Sequence, residues 1–358
     1  MKKISPKYKR RLLRLARYRL NEKLKRGLDK YLPKGRRFVS PGDYILAPEN
    51  ISIAGEDGVQ LLKLIYAVSN AVLEKKLNVT ISFKNTREFS ASGAIILLSE
   101  LDRIISSSNL AKPLTIQNPI YRKPREVMKQ LGFHELTGDV CNIIPEREDV
   151  VYWKATKGGS QSGELYGELV EAIAERANKE AAKHIEVNRL WRSVNEAIAN
   201  SIDHAYKKPR KDGFNGLPRT KWWMLSQIKD GYFTMAVCDL GCGYKNTINE
   251  TLPEGWIAKF RSTVLGHNED SLAIETAMEY GRSGTHQGHR GKGSRDVLSL
   301  LEKHGSGELI VLSNSGLMKY EYEKGIEKTK KSSSLKIPIG GTVVWWKLPL
   351  REVGSEAN

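Results

Sequence analysis

From Ile51 onward, apolar positions fall either into short alternating stretches or into longer ones spaced by three and four. Leu61, Leu62, Ile65, Val68 and Val72 recur at helical intervals and predict a helix over 59–75. Val79-Thr-Ile-Ser-Phe83 alternates as a strand. A second apolar helix is expected over 92–105, a short strand over 113–117 and a short helix over 124–133. Strand and helix in turn predict a small α/β domain. Residues 154–163 are small and polar and read as a linker or loop. Two long helices are expected at about 164–184 and 187–206. Strands at 221–228 and 232–239 flank Lys229-Asp230-Gly231, a hairpin signal. Residues 244–293 show no strong strand and read as a long mobile connection with one helix near 272–280. A helix over 294–304, stopped by Gly305, and strands near 308–313, 317–322 and 342–348 complete the pattern. Trp222-Trp223 and Trp345-Trp346 are each expected to offer one ring to the core and one to an edge or interface.

Composition bounds the function. With 358 residues and 40% hydrophobic content, the chain has material for about two packed domains, which excludes wholesale disorder. No stretch approaches the roughly 18 consecutive apolar residues of a membrane span. The basic N-terminus is not followed by an apolar segment, so no secretory signal is expected. Three cysteines, none in a C-x-x-C pair, exclude a disulfide framework. A reduced, soluble, cytoplasmic protein is the expectation.

Charge is unevenly distributed. Residues 1–37 hold 16 Lys and Arg against Glu22 and Asp29, so +14 of the net +17 lies there and the remaining 321 residues carry +3. Leu13, Ala16, Leu20, Leu24, Leu28 and Tyr31 would form one stripe of a helix over 10–31, ended by Pro33 and Gly35. A basic arm over 1–40 on a near-neutral body points to nucleic acid through residues 1–37, or to an acidic protein surface or anionic membrane.

Three segments carry chemistry. In Glu196-Ala-Ile-Ala-Asn200-Ser-Ile-Asp203, positions 196, 200 and 203 share one helical face, opposite Leu190, Trp191, Val194, Ile198 and Ile202. A carboxylate and an amide one turn apart can divide a phosphate task. Asn200 offers a hard neutral oxygen to Mg²⁺, and Glu196 can orient or deprotonate a nucleophile. The same pattern also suits a solvated polar face. Asp239-Leu-Gly241-Cys-Gly243 follows a strand; a buried carboxylate there can accept from an exocyclic amine, though such turns are common. Gly288-His-Arg290-Gly291-Lys292-Gly293 leads into a helix whose N-terminus favours phosphate, with Arg290 or Lys292 adding charge. It is not a Walker A loop, and a plain flexible loop has the same composition.

Taken in order, Glu196…Asn200, Asp239-x-Gly241-x-Gly243, a long connection, Gly288-x-x-Gly291-x-Gly293 and Gly341-Thr342 resemble the GHKL ATPases, the superfamily of gyrase, ninety-kilodalton heat-shock chaperones, histidine kinases and MutL. The resemblance covers about residues 160–350 and implies a Bergerat α/β sandwich that binds ATP with Mg²⁺. It implies Glu196 as the nucleophile-activating acid, Asn200 as the Mg²⁺ ligand and Asp239 as the adenine anchor. Gly241 and Gly243 would line the base, Gly288, Gly291 and Gly293 would frame lid and phosphates, and Thr342 would support the adenine side. Asp203 joins the ATP-binding set. GHKL domains often dimerise, so a homodimer is among the assemblies implied.

The stretch 194–206 is most similar to the anti-sigma-factor serine kinases, whose partners are STAS-domain antagonists. Residues 45–150 resemble a STAS domain, through the strand Val79–Phe83 and Phe89-Ser90-Ala91-Ser92-Gly93-Ala94 opening an apolar helix. STAS antagonists usually read Asp-Ser-Ser-Gly there. Ser92 aligns with their phosphorylated serine, while Ser90 and Ala91 depart from the pattern. Ser92 as a simple helix N-cap is the competing expectation. Three functions stay open: an Mg²⁺-dependent ATPase whose nucleotide state closes a lid, a serine/threonine kinase acting on a STAS partner or on Ser92, and a non-enzymatic ATP-binding scaffold.

Overall fold

The computed structural model describes residues 44–151, 153–159, 163–179, 181, 184–210, 212, 221–282 and 293–351. The basic arm over 1–40, and with it the nucleic-acid expectation for 1–37, lies outside these residues. So do Gly288, Arg290, Gly291 and Lys292. The protein is a mixed α/β protein.

The N-terminal unit opens with β1 (Tyr44–Leu46), β2 (Asn50–Ile51) and α1 (Gly55–Ser69), which runs on into a π turn at Asn70–Glu74. Then come β3 (Val79–Ser82), β4 (Glu88–Phe89), α2 (Ala91–Ser107), β5 (Leu114–Gln117), α3 (Arg122–Gln130), α4 (Phe133–Thr137) and α5 (Glu148–Val151). Strands β1, β3 and β5 form a parallel sheet in that order, and β2 pairs with β4. The alternation expected of a small α/β domain is present. The very short β1, β2 and β4 carry too few residues for a period to register.

The second part begins with β6 (Lys154–Gly158), α6 (Gly163–Lys179) and α7 (Val187–Asn200), which ends in a π turn at Ser201–Ala205. It continues through β7 (Trp222–Lys229), β8 (Tyr232–Asp239), α8 (Tyr244–Thr251), α9 (Glu254–Thr263), α10 (Glu269–Arg282) and α11 (Gly293–His304). Four strands close it: β9 (Ser306–Ser313), β10 (Gly316–Glu323), β11 (Ile326–Ser334) and β12 (Thr342–Pro349). These make one antiparallel seven-stranded sheet in the order β11-β10-β9-β12-β8-β7-β6. Asp230 and Gly231, both at positive φ, turn β7 into β8, as the hairpin signal predicts.

Two expectations need correction, and one strand gave no signal. Residues 154–158 are not linker but the edge strand β6, paired with β7 from Lys154↔Ser226 to Gly158↔Trp222. Residues 244–282 are not a loose connection. The helix expected near 272–280 is α10, and α8 and α9 precede it, with Ile248, Phe260, Leu272 and Ala273 as a small core of the three. The edge strand β11 was invisible because Ile326-Glu-Lys-Thr-Lys-Lys-Ser-Ser-Ser334 has no apolar face, as suits a solvated edge carrying lysines.

Both faces of the large sheet are covered. Trp222, Met224, Phe233, Met235, Val237, Val344 and Trp346 pack against α6, α7, α10 and α11. The alternate residues Trp223, Leu225, Ala236, Cys238, Leu312 and Val343 share a core with the N-terminal unit, chiefly its helix α2. Trp222 and Trp223 are therefore both buried, each on its own face, rather than one in the core and one at an edge. Burying such a ring contributes roughly 1.5–3 kcal/mol, a strong drive for the N-terminal unit to stay docked. Among the described residues no helix is long and apolar enough to cross a membrane.

Candidate functional site

Helix α7 is amphipathic as its sequence requires: Leu190, Val194, Ala197 and Ile198 are buried against the sheet. Trp191 departs from the expected apolar face and is 40% exposed, one position off the buried stripe. Ser193 faces α11 and donates to the Asp296 carbonyl at 2.7 Å, which fixes the two helices side by side. Glu196 and Asn200 lie one turn apart, half-buried, with a hydrogen bond between their side chains. Burial holds the Glu196 carboxyl above its ordinary range. The like charges of Asp296 and Asp203 push the same way, and the Asn200 amide opposes them. That amide donates through its nitrogen, so Oδ1 is left for another partner.

The π turn interrupts the expected uniform helix to residue 206. Whereas Glu196 and Asn200 are half-buried, Asp203 falls within this wider turn and is exposed. Its carboxylate is still close enough to act on Glu196.

Asp239 ends β8 on the face that meets α7. It is 6% exposed and lies between Trp222 and Thr342 in the sheet register. Burial pushes its carboxyl up to about 6, even though Gly241 N–H donates at 2.9 Å, Ser201 Oγ at 3.4 Å, and the Thr342 backbone and Arg210 charge also favour the anion. The described residues offer it no ion pair. A buried carboxylate held by neutral donors retains acceptor capacity, which suits an exocyclic amine.

The loop after Asp239 reaches this place because Gly241 has no side chain. A Cβ there would fall 2.2 Å from the Ala205 carbonyl oxygen, the same oxygen that accepts from Cys242 N–H at 2.7 Å. The glycine thus joins the end of α7 to the end of β8 and brings the two candidate motifs together. Gly243 precedes α8, and Gly293 opens α11. Thr342 is buried with its hydroxyl 3.3 Å from Ser313 Oγ.

Four residues escaped the sequence reading. Ser201 donates toward Asp239, and Asp296 acts on Glu196 from the first turn of α11. Ser313 Oγ accepts from Tyr244 N–H at 3.0 Å. Tyr244 packs beside the large core, and the charges of Glu196 and Asp239, added to burial, hold its phenol up. Ser201, Tyr244 and Asp296 each stand within three residues of a recognised motif residue. Adjacency to Asn200, Gly243 and Gly293 was the available signal.

Ser92 is 3% exposed at the start of α2, its hydroxyl 3.3 Å from that of Ser90. The N-cap is Ser90, which accepts from Gly93 N–H at 3.1 Å. Helix α2 packs on the sheet face opposite α7 and Asp239. Among the described residues no three His, Cys, Asp or Glu side chains form a metal cage. No protein-family model matches the chain, and no curated protein matches it significantly.

Proposed function

We propose that the chain binds ATP in the GHKL manner, on a Bergerat-type sandwich, and hydrolyses it. The observation that carries this reading is the meeting of Glu196–Asn200 and Asp239 on one side of the sheet, joined by the Gly241–Ala205 contact. The order of these motifs along the chain supports it independently.

On this reading Asp239 accepts from the adenine amine, and Thr342 and Ser313 border the base. The phosphates extend along α7 toward the N-terminus of α11, where backbone N–H groups favour anions. Asn200 Oδ1 would hold Mg²⁺, which would neutralise phosphate charge. Glu196 acts as the base: the burial that raises its pKa makes the ionised carboxylate a stronger acceptor for the proton of an attacking hydroxyl or water.

Water is the favoured nucleophile over the chain's own serine. Ser92 is buried on the opposite sheet face from Glu196, so transfer within one chain would need α2 to leave the sheet. In this reading the STAS-like unit is a prop and a regulatory partner of the ATP domain. With γ-labelled ATP and Mg²⁺ the expected product is free phosphate; label on the protein would favour the kinase reading, and neither would leave ATP as a ligand only.

Asp239→Asn separates binding from folding. The amide presents a donor to the adenine amine, and loss of a charged hydrogen bond of about 1.5–3 kcal/mol weakens ATP binding at least about tenfold. The same change should not weaken the fold. A carboxyl raised from 3.8 to about 6 binds protons more readily folded than unfolded, so its stability contribution is full below about pH 4 and lost as pH rises through 6. The variant should therefore be at least as stable as the wild type above pH 6, with any advantage shrinking in acid. Calorimetry for binding and urea titration across pH check both halves.

The arm adds a partner. Sixteen bases against two acids in residues 1–37 favour nucleic acid bound through its backbone. Binding should be sequence-independent and fall with salt at a slope of about −0.9 per phosphate neutralised on duplex DNA. A chain starting at Phe38 should lose it; equal binding by both would remove the arm from the account.

A further inference from the structure

Arg210 is a buried cation whose charge favours the Asp239 anion and whose hydrogen bonds among the described residues are made elsewhere. It follows the π turn of α7 and enters the seam between the large sheet and the N-terminal unit, its side chain 7% exposed. Nη2 donates to Glu100 Oε1 at 2.8 Å and to Asp212 Oδ2 at 2.5 Å, and Nε donates to the same Asp212 oxygen at 3.0 Å. Glu100 Oε2 in turn accepts from Arg103 Nε at 2.7 Å, and Arg103 Nη2 reaches Ser69 Oγ at 3.2 Å, at the end of α1. A polar chain thus runs from the end of the candidate catalytic helix into the N-terminal unit. Arg210 Nη1 has no hydrogen-bond partner among the described residues.

The other flank of the guanidinium lies against Gly340, where a Cβ would fall 2.2 Å from Nη2. The next residue, Gly341 at φ +127, lies against the anchor itself: a Cβ there would fall 2.1 Å from the Asp239 carbonyl oxygen. Consecutive residues leading into β12 are therefore in contact with the guanidinium on one side and with Asp239 on the other. For merely holding two units together a buried ion pair has no advantage over apolar side chains, because desolvation offsets the attraction. What it adds is direction.

We infer that Arg210 is a positioning residue for Asp239: it seats the Gly340-Gly341 backbone behind the adenine anchor and, through Glu100, ties that seat to the docked N-terminal unit. The inference rests on the reading of Asp239 as the nucleotide anchor. The groups acting around Asp239 are Tyr206 in the π turn, Cys238 on its own strand, Cys242 and Tyr244 beyond it, and Glu100 on α2 through Arg210 and Cys238. Arg210 is the cation among them, and it helps keep the anchor ionised against burial.

The test uses the full chain and two readouts across pH. One is the midpoint of Mg-ATP affinity. The other, independent of nucleotide, is the midpoint at which stability departs from that of Asp239→Asn in the same background. Both should lie near 6 in the wild type. Arg210→Gln should raise both by about half a unit or more, and Arg210→Lys should stay close to the wild type. Should Arg210→Gln fail to fold, Gly340→Ala displaces the flexible guanidinium without altering any charge and should move the midpoints the same way. Unchanged midpoints in the folded variants would overturn the inference. A wild type that binds no ATP, with the stability midpoint still moving, would overturn the nucleotide reading and leave the Arg210–Asp239 coupling standing.

Discussion

Glu196→Ala is expected to bind Mg-ATP within about threefold of the wild type and to turn it over at least about 10²-fold more slowly. The separation follows from position. Asp239 at the end of β8 pairs with Thr342 at the start of β12, and Gly241 and Gly243 follow there, whereas Glu196 lies a turn before Asn200 on α7 and under the charge of Asp296. On the proposed function, removing the carboxylate takes away the proton acceptor and leaves the adenine contacts in place. Wild-type turnover should also fall as pH drops through the raised pKa of Glu196, because burial, Asp296 and Asp203 all favour its protonated form. Glu196→Gln should show the same loss with a flat acid limb. Steady-state phosphate release against calorimetric affinity gives both numbers. Normal turnover in Glu196→Ala would take the base away from this residue.

Glu100→Ala should cost on the order of 3–5 kcal/mol of unfolding free energy. Burial alone would raise the Glu100 pKa, but Arg103 and Arg210, one on each side, outweigh it and hold the carboxyl low. Removing the anion takes from the seam the carboxylate shared by Arg103 and Arg210, 3% and 7% exposed, and leaves Asp212 as the carboxylate on Arg210, so two buried guanidiniums lose a common counter-charge. A carboxyl with a lowered folded pKa stabilises above its unfolded pKa and loses that contribution as pH falls through the folded value, so the penalty should vanish only in acid. Urea unfolding at neutral pH measures it. A cost below about 1 kcal/mol would mean the seam is open to water.

What could be read from the residues divides along physical lines. Elements with a strong apolar period, such as α2, α7, β8 and β12, were legible because burial on one or two faces dictates their composition. The strands β6 and β11 were not, since edge strands need no apolar face. Helix α10 was read in part, near 272–280, whereas α8 and α9 were hidden by a mixed pattern, with a small core of their own in place of one continuous stripe. In the site, Glu196, Asn200 and Asp239 stood out as motif residues. Ser201 and Asp296 had only their adjacency to Asn200 and Gly293 to mark them, and Ser313 and Arg210, which act through contacts made when distant segments meet, had no such neighbour. The shared core explains a further miss. The adjacent tryptophans 222 and 223 read as one core ring and one edge ring until the N-terminal unit is seen covering the second face.

The most direct test of the account is a crystal structure of the full chain with a non-hydrolysable ATP analogue and Mg²⁺. The account predicts the adenine amine on the Asp239 carboxylate, the metal on Asn200, and the γ-phosphate within reach of Glu196. A nucleotide bound elsewhere, or none bound at saturating concentration, would contradict it.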